Sequence, residues 1–432
     1  MNFRELTDIE FTDFAKTNPL NNFYQTKEWA TLKKKNNWDY YFVGILDDTN
    51  TILGATLLLA KKVLLNKKIF YAPRGFLIDF NNAPLLTEFT LKIKQFIKTK
   101  NGIFLKIDPY LAYQERDLDG NIVENGFNNK KAHQLLLSLK YKHQGFNLNQ
   151  EDLQPRFIFT TTTKDRDETD ILKNMDTKTR QIIRKNERLG MTVREIKFDE
   201  LDKFKKIMNH TSERREFIDR PFSYYQTMYQ ALASNDLVKV LVAELDTNKI
   251  LANINTELAN YLSEYQEKEA KYLKDKSKMN ESKYLAKKQE IENNIERTKV
   301  KENKIKSLKA KHGDIIILGG ILYITYDKEV LSLLGGTYQE FMEFDPAYTL
   351  NWEMIKYAVS NNYERYNFYG ISGDFRESNK LLGLYLFKRG FGGQVVELLG
   401  EYDLIVNKPL YYLYKLLFSL YHTIKNIKYK KE

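Results

Sequence analysis

The chain has 432 residues, 42% of them hydrophobic, and no cysteine. That excludes disulfides, a thiol nucleophile and thiolate zinc sites, and it fits a reducing compartment. Its 68 Lys and Arg outweigh 57 Asp and Glu, a formal net charge of +11; this points to a polyanion such as nucleic acid, anionic lipid or a phosphorylated substrate, unless it only reflects a lysine-rich composition.

The N-terminus, Met1 to Phe11, has no apolar core of a signal peptide. The longest apolar runs, Ile315–Tyr326 and Leu410–Ile424, fall short of the roughly 20 residues of a membrane span. A cytosolic or peripheral protein is expected. The five histidines, His133, His143, His210, His312 and His422, show no metal-ligand spacing.

Residues 1–150 read as one mixed α/β unit. Asp8–Lys16 and Thr26–Lys35 have helical spacing. Tyr40–Asp47 and Ile52–Lys61 read as strands paired around Asp48-Thr49-Asn50. Lys67–Tyr71 is a strand followed by the turn Pro73-Arg74-Gly75. A helix is expected over Leu85–Thr99, a strand over Ile103–Ile107 ending at Asp108-Pro109, a loop over 114–129 and a helix over Lys130–Leu139.

A second unit of similar layout begins with the strand Arg156–Thr163. Asp165–Gly190 reads as one helical stretch, capped by Asp167 or Thr169. Then come a strand at Val193–Ile196, helices at Asp199–Arg215 and Ser223–Ala233, and a strand at Val238–Glu244.

Composition shifts over Thr247–Lys311. Leu251, Ile254, Leu258, Tyr261 and Tyr265 recur at three and four residues, and Ile291, Ile295, Thr298 and Ile305 match them. Two antiparallel helices are expected, turning within Lys276–Ser282, each reaching roughly 40 Å at 1.5 Å per residue. Lys288 and Glu302 make the seam impure. From Tyr261 to Lys311 basic residues outnumber acidic ones 15 to 9, a modest excess for phosphate contacts or merely a solvated surface.

Strands resume at Ile315–Tyr326 and Glu329–Leu334, with Gly335-Gly336 read as a turn. Pro346–Ser360 is a helix, and Tyr366–Tyr369 and Val395–Gly400 are strands. The arm therefore interrupts an α/β unit. Residues 151–246 and 312–432 are expected to form that second domain, with 247–311 as the inserted arm. The final stretch, from Lys408, has an aromatic-aliphatic face and a basic tail. It suits either a membrane-surface helix or one packed on its own domain.

No phosphate loop, nucleophile elbow or metal motif is present. Asp79, Asp108 and Asp374 lie near strand ends or turns, where a carboxylate is more often a cap or ion-pair partner than a base. Tyr366–Gly393 reads as strand, glycine turn, loop, short helix and the basic-aromatic turn Phe387-Lys388-Arg389-Gly390-Phe391. Its aromatics, glycines and lysine suit the floor of a site for a large anion with a developing oxyanion. Lys388 in a partly apolar setting can stabilise such charge; a surface-turn lysine is the plainer alternative.

Several segments carry a resemblance over essentially the whole chain. They are Gln25-Thr26-Lys27-Glu28-Trp29 with Lys33, Lys106-Ile107-Asp108-Pro109, and Asp219-Arg220 with Tyr224-Tyr225, beside the charged arm. Asn351-Trp352-Glu353-Met354-Ile355, Tyr366-Asn367-Phe368-Tyr369-Gly370-Ile371-Ser372-Gly373 and Phe387-Lys388-Arg389-Gly390-Phe391 add to them. The chain resembles the Fem family of aminoacyl-tRNA-dependent peptidyltransferases (FemA, FemB, FemX and MurM types), and the FemA type above all.

The resemblance implies an α/β (α+β) fold of two GNAT-like acyltransferase domains, with the coiled-coil arm inserted in the second. It implies transfer of an amino acid from aminoacyl-tRNA, a co-substrate with no further cofactor, to the stem peptide of lipid II. Glycine, alanine or serine would be added for the peptidoglycan interpeptide bridge. Lys33 and Arg220 would hold substrate phosphates or peptide, with Tyr224 beside them; Phe368 and Lys388 would line the transfer site, and Asp108 would be the recurrent acid. The family often carries tyrosines in the strand before the double glycine. Here that strand is Val330-Leu331-Ser332-Leu333-Leu334, so Tyr323 or Tyr326 would substitute. The implied partners are aminoacyl-tRNA, lipid II, the inner membrane surface, and other Fem-type proteins or a second copy. An acetyl-CoA-dependent N-acyltransferase and a non-catalytic tRNA- or membrane-binding scaffold are the alternatives; the first needs a pyrophosphate loop that the sequence lacks.

Overall fold

The computed structural model of the protein describes residues 1–64, 66–148, 153–274 and 280–429, with side chains through Leu420. Among these residues the strands form two sheets. From edge to edge the first runs Asn2–Glu5, Asp39–Leu46, Ile52–Leu64, Lys67–Ala72, Gly102–Ile107, Tyr402–Ile405 and Tyr141–His143. The second runs Ala112–Glu115, Gln394–Leu398, Phe157–Thr162, Arg365–Ile371, Glu329–Thr337, Ile315–Tyr326, Val238–Asp246 and Met191–Ile196.

The two sheets share a plan. In each, an antiparallel hairpin leads into a helix that crosses back to a parallel strand. Helix Ala83–Thr99 links Lys67–Ala72 to Gly102–Ile107; helix Pro346–Ser360 links Glu329–Thr337 to Arg365–Ile371. Both helices carry Pro in the first turn, where its missing N–H has no intrahelical partner to lose. Local sequence starts other helices as well. Thr7 forms a reciprocal capping box with Glu10, and Asp167 accepts from Asp170 N at 2.7 Å.

Four differences from the sequence reading have physical causes. Asp165–Gly190 is two helices, Glu168–Asn174 and Thr177–Leu189; Asp176 caps the second, and Arg180 donates to the carbonyl of Lys173 at 3.1 Å, closing the break. Gly335 and Gly336 do not turn. They lie inside strand Glu329–Thr337, opposite Ile321 and Gly320. A Cβ on Gly336 would sit 1.9 Å from Thr211 Oγ1, so the missing side chain lets helix Leu201–Arg215 approach the sheet. Phe387-Lys388-Arg389 is the last turn of helix Leu382–Arg389 and not a loop turn. Finally, the strands Asn2–Glu5, Ala112–Glu115, Tyr141–His143 and Tyr402–Ile405 were invisible in the sequence, because each is only three or four residues long.

Two of these short strands cross residue 150 in opposite directions. Ala112–Glu115 pairs with Gln394–Leu398 in the second sheet, and Tyr402–Ile405 inserts between Gly102–Ile107 and Tyr141–His143 in the first. One core also spans both halves, where Phe11, Trp29 and Leu57 join Phe204, Tyr225 and Leu331.

Helices Thr247–Lys274 and Glu281–His312 make the antiparallel arm. Ile254, Ile291, Thr298 and Ile305 are buried in its seam as expected. Lys288 is accommodated by Glu269 at 3.3 Å and by the Tyr265 ring, and Tyr272 stacks on Tyr284 at 3.9 Å. Of the expected turn Lys276–Ser282, residues 276–279 lie outside the described ones; Asn280 caps the returning helix. At its base the arm is tied to the second half by Lys311–Glu340 and Lys304–Glu343.

Candidate functional site

The seam between the halves carries a polar cleft, and the segment from Asn22 to Lys35 shows how the sequence builds it. Gln25 is fully buried; its Nε2 donates to Pro73 O at 2.6 Å, and its Oε1 accepts from Leu57 N at 2.8 Å. Gln25 thus fixes the turn that carries Arg74. Thr26 caps helix Lys27–Lys35 by accepting from Trp29 N. Trp29 packs edge-on against Tyr24 and provides a ring under Lys33, whose Nζ lies 4.3 Å from the centroid.

Lys33 is half-buried, and its neighbours are cations. Burial, Arg220 and Lys61 together push its pKa down to about 8. Among the described residues no carboxylate pairs with Lys33 or Arg220. Arg220 is exposed, with its guanidinium 5.5 Å from the Tyr224 ring. Its loop is anchored by Asp219, which accepts from Tyr225 and Lys205, while Lys205 also donates to Arg220 O at 2.7 Å. Residues 187 positions apart, Lys33 and Arg220, with the Tyr224 ring, therefore present two uncompensated cations and an aromatic ring to one space, an arrangement suited to an anion.

Beside this cluster the cleft is lined by Asn22, Tyr24, Arg74, Tyr110, Asn367 and Tyr369. Tyr24 Oη lies 3.2 Å from Tyr369 Oη, which donates to Gln154 at 2.6 Å. Burial raises both phenol pKa values, so both stay protonated donors near neutral pH. Arg74 has a left-handed backbone (φ +53°) and is 3% exposed. Its Nη2 donates to Pro155 O at 2.8 Å, while its buried Nε has no hydrogen-bond partner among the described residues. A desolvated guanidinium N–H without a partner, just behind a cleft, keeps an unspent donor. Further along, Glu329 accepts from Arg365 (2.6 Å), Tyr110 (2.8 Å) and Asn367 (3.1 Å). Tyr326 lines the adjoining recess and donates to Asn21 at 3.2 Å.

Asp108 stands behind Arg74. Its Oδ1 accepts from Arg74 N at 2.8 Å, its Oδ2 from Tyr71 Oη at 3.2 Å, and Arg74 Nη1 lies 3.8 Å away. Burial pushes its pKa up to about 6 against the pull of Arg74. The carboxylate is thus engaged in holding Arg74 and does not front the cleft.

Lys388 also sits behind the surface. Strand Arg365–Ile371 departs from its partner Phe157–Thr162 between Asn367 and Gly370, and Tyr369 there has φ +65°. Lys388, 7% exposed, spans this irregularity: its Nζ donates to Phe368 O at 2.7 Å and Gly370 O at 2.6 Å. Asn367 Oδ1 completes the brace by accepting from Tyr369 N at 2.7 Å. Burial alone pushes the Lys388 pKa down to about 7. Sequence reasoning placed this amine on the substrate; the structure gives it backbone acceptors instead, because helix Leu382–Arg389 projects it onto the back of the strand.

Phe368 packs in the second core, 4.6 Å from Tyr366 and 5.0 Å from Phe391. Tyr323 is fully buried in the same core. Neither presents surface to a ligand. Lys33, Arg220 and Tyr224 do come together at the seam, and Tyr326 lines the adjoining recess. Sequence reasoning missed Tyr24, Arg74, Tyr110 and Tyr369. Two signals marked them: Arg74 stands between Pro and Gly in a turn, and Tyr24 and Tyr369 adjoin or lie within the motifs that carry the resemblance.

A profile of the FemAB family matches residues 6–419. The chain is 33% identical over 430 residues to Aminoacyltransferase FemA of Staphylococcus epidermidis, covering 99% of this chain and 100% of that one. It is 31% identical over 416 residues to Aminoacyltransferase FemA of Staphylococcus aureus, covering 96% and 97%. A crystal structure of FemX superposes with a TM-score of 0.77 at 27% identity, covering 96% of this chain and 99% of that one. With a family profile over nearly its whole length and relatives aligned end to end, this chain belongs to the FemAB family and is an aminoacyltransferase.

Proposed function

We propose that this enzyme transfers glycine, alanine or serine from aminoacyl-tRNA to an amine on the stem peptide, or on the growing interpeptide bridge, of the peptidoglycan precursor lipid II. The observation that carries this reading is the pairing of an uncompensated cation site, Lys33 with Arg220, with a cleft of neutral and cationic donors, Tyr24, Tyr369 and Arg74. The first suits the phosphates of a large substrate. The second suits an ester carbonyl.

The chemistry asks for little else. An aminoacyl ester is already activated, so the acceptor amine attacks its carbonyl carbon directly. The new C–N bond forms as the C–O bond to the ribose breaks, and the proton lost by the amine is taken up by the departing ribose oxygen. Orientation and charge stabilisation supply the rate, without a metal or covalent nucleophile. Arg74 Nε is the unspent donor nearest to hand, and the Tyr24 and Tyr369 hydroxyls would join it by turning from Tyr369 and Gln154. Asp108 aligns Arg74 and Lys388 braces Tyr369, so both act through other residues. The basic arm suits tRNA phosphates. The reaction would take place in the cytoplasm, at the inner face of the membrane that carries lipid II.

The test is mass spectrometry of lipid II after incubation with the enzyme and a mixture of charged tRNAs. The expected product is heavier by one glycine, alanine or serine residue. Unchanged lipid II with every charged tRNA would overturn the proposal.

A further inference from the structure

Helix Lys408–Tyr429 has two apolar faces. One is packed: Tyr411 is buried against Phe104 (5.2 Å), and Tyr414 lies 5.6 Å from the same ring. That face is also pinned by charge. The fully buried Asp403 accepts from Tyr411 Oη at 2.9 Å and pairs with Lys415 at 3.0 Å. The helix therefore has a fixed orientation on the first sheet.

The other face is turned outward. Tyr412 (56% exposed), Leu413, Leu416 (59%), Leu417 and Leu420 (51%) are all exposed. Their spacing of i, i+1, i+4, i+5 and i+8 puts them on one stripe, opposite the Tyr411–Tyr414 face. From Tyr412 to Leu420 the stripe runs about 12 Å along the helix at 1.5 Å per residue, and the helical backbone continues to Tyr429.

An outward stripe of this size on an anchored helix needs an occupant. Charge identifies it. Residues 408–432 hold six lysines, Lys408, Lys415, Lys425, Lys428, Lys430 and Lys431, against one acid, Glu432. The exposed Lys142, from the neighbouring edge strand, places its Nζ 5.6 Å from the Tyr412 ring. An apolar stripe with aromatic and lysine flanks matches an anionic bilayer surface. No helix among the described residues is long and apolar enough to cross a membrane, so the helix would lie on the surface.

We propose that the outward face of helix Lys408–Tyr429 is a docking surface for anionic lipid, seating the enzyme on the bilayer. This deepens the reading above, since it rests on an acceptor carried by lipid. The surface is separate from the cleft and uses none of its residues.

The test is flotation of the full chain with vesicles of 30% phosphatidylglycerol and 70% phosphatidylcholine. Wild type should float, with binding reduced at least about tenfold in the Leu416→Glu/Leu417→Glu variant and weakened by 0.5 M NaCl. Because both leucines are exposed, circular dichroism should show the variant folded. Its transfer to a soluble stem-peptide acceptor should equal that of wild type, while transfer to bilayer-embedded lipid II falls. Equal flotation of wild type and variant would overturn the docking surface, as would failure of wild type to float. A wild-type dimer that the variant loses would overturn it in favour of a second copy as the occupant. Transfer to neither acceptor by wild type would instead defeat the functional reading, leaving the flotation result to stand by itself.

Discussion

Two lysines in this enzyme have depressed pKa values for different reasons, and the contrast separates support from recognition. Lys388 lies behind strand Arg365–Ile371 with two backbone carbonyls within 2.7 Å, and burial alone pushes it down to about 7. Lys33 is half open over the Trp29 ring, and two further cations help push it down to about 8. A buried amine that completes the hydrogen bonding of its own backbone has found its partners. An amine held among cations without a carboxylate is poised for an anion from outside.

The sharpest way to break this contrast is to remove both amines in turn. Lys388→Ala removes two buried hydrogen bonds and opens a cavity, so it should lower unfolding stability by about 3 kcal/mol, read by urea denaturation. Transfer should fall with it. Normal stability together with lost transfer would instead place Lys388 on the substrate. Lys33→Ala and Arg220→Ala should each lower kcat/KM by about 10- to 100-fold, the worth of a charge-assisted hydrogen bond, with stability within about 0.5 kcal/mol of wild type.

Smaller effects sharpen the same line. Tyr369→Phe removes the hydroxyl shared with Tyr24 and Gln154; a loss of about 1 kcal/mol in transition-state stabilisation, roughly fivefold in kcat/KM, is expected with KM unchanged. The two lysines also predict opposite pH readouts. Lys33 loses its proton as pH rises through about 8, so KM for the anionic substrate should rise between pH 7 and 9, and Lys33→Arg should abolish the rise. Lys388 keeps its proton to higher pH in the unfolded chain than in the folded one. Between about 7, its folded value, and the ordinary lysine range, the unfolded state binds more protons and stability rises with pH. Measured against Lys388→Met, wild-type stability should therefore climb from pH 7 to 9.

Much of this was legible in the chain, and what was not has a common cause. The arm, both crossover helices and the long strands follow periodicity, which extended, regular segments obey. The family was readable from short motifs, several of which prove to be scaffolding: Gln25 holds the Arg74 turn, and Asp108 holds Arg74 itself. Lys388 was misplaced because spacing cannot tell which side of a strand a helix will cover. Tyr323 and Phe368 were taken for ligand contacts because an aromatic residue in a core and one in a cleft look alike in sequence. Tyr24, Arg74 and Tyr369 meet only in three dimensions, across about 345 positions.

The interlocked short strands set the order in which the molecule can be made. Lys106 finds Glu401 and Asp403 only after nearly 300 intervening residues have been synthesised. The first sheet thus waits, with the interior place of Tyr402–Ile405 unfilled, until Ile405 has been made. A chain halted at residue 390 would lack strands from both sheets, however complete its cleft. Its first half, with long-range pairing outstanding, would be the aggregation-prone species. Quality control over this enzyme therefore falls on the stretch from Gln394 to Ile405.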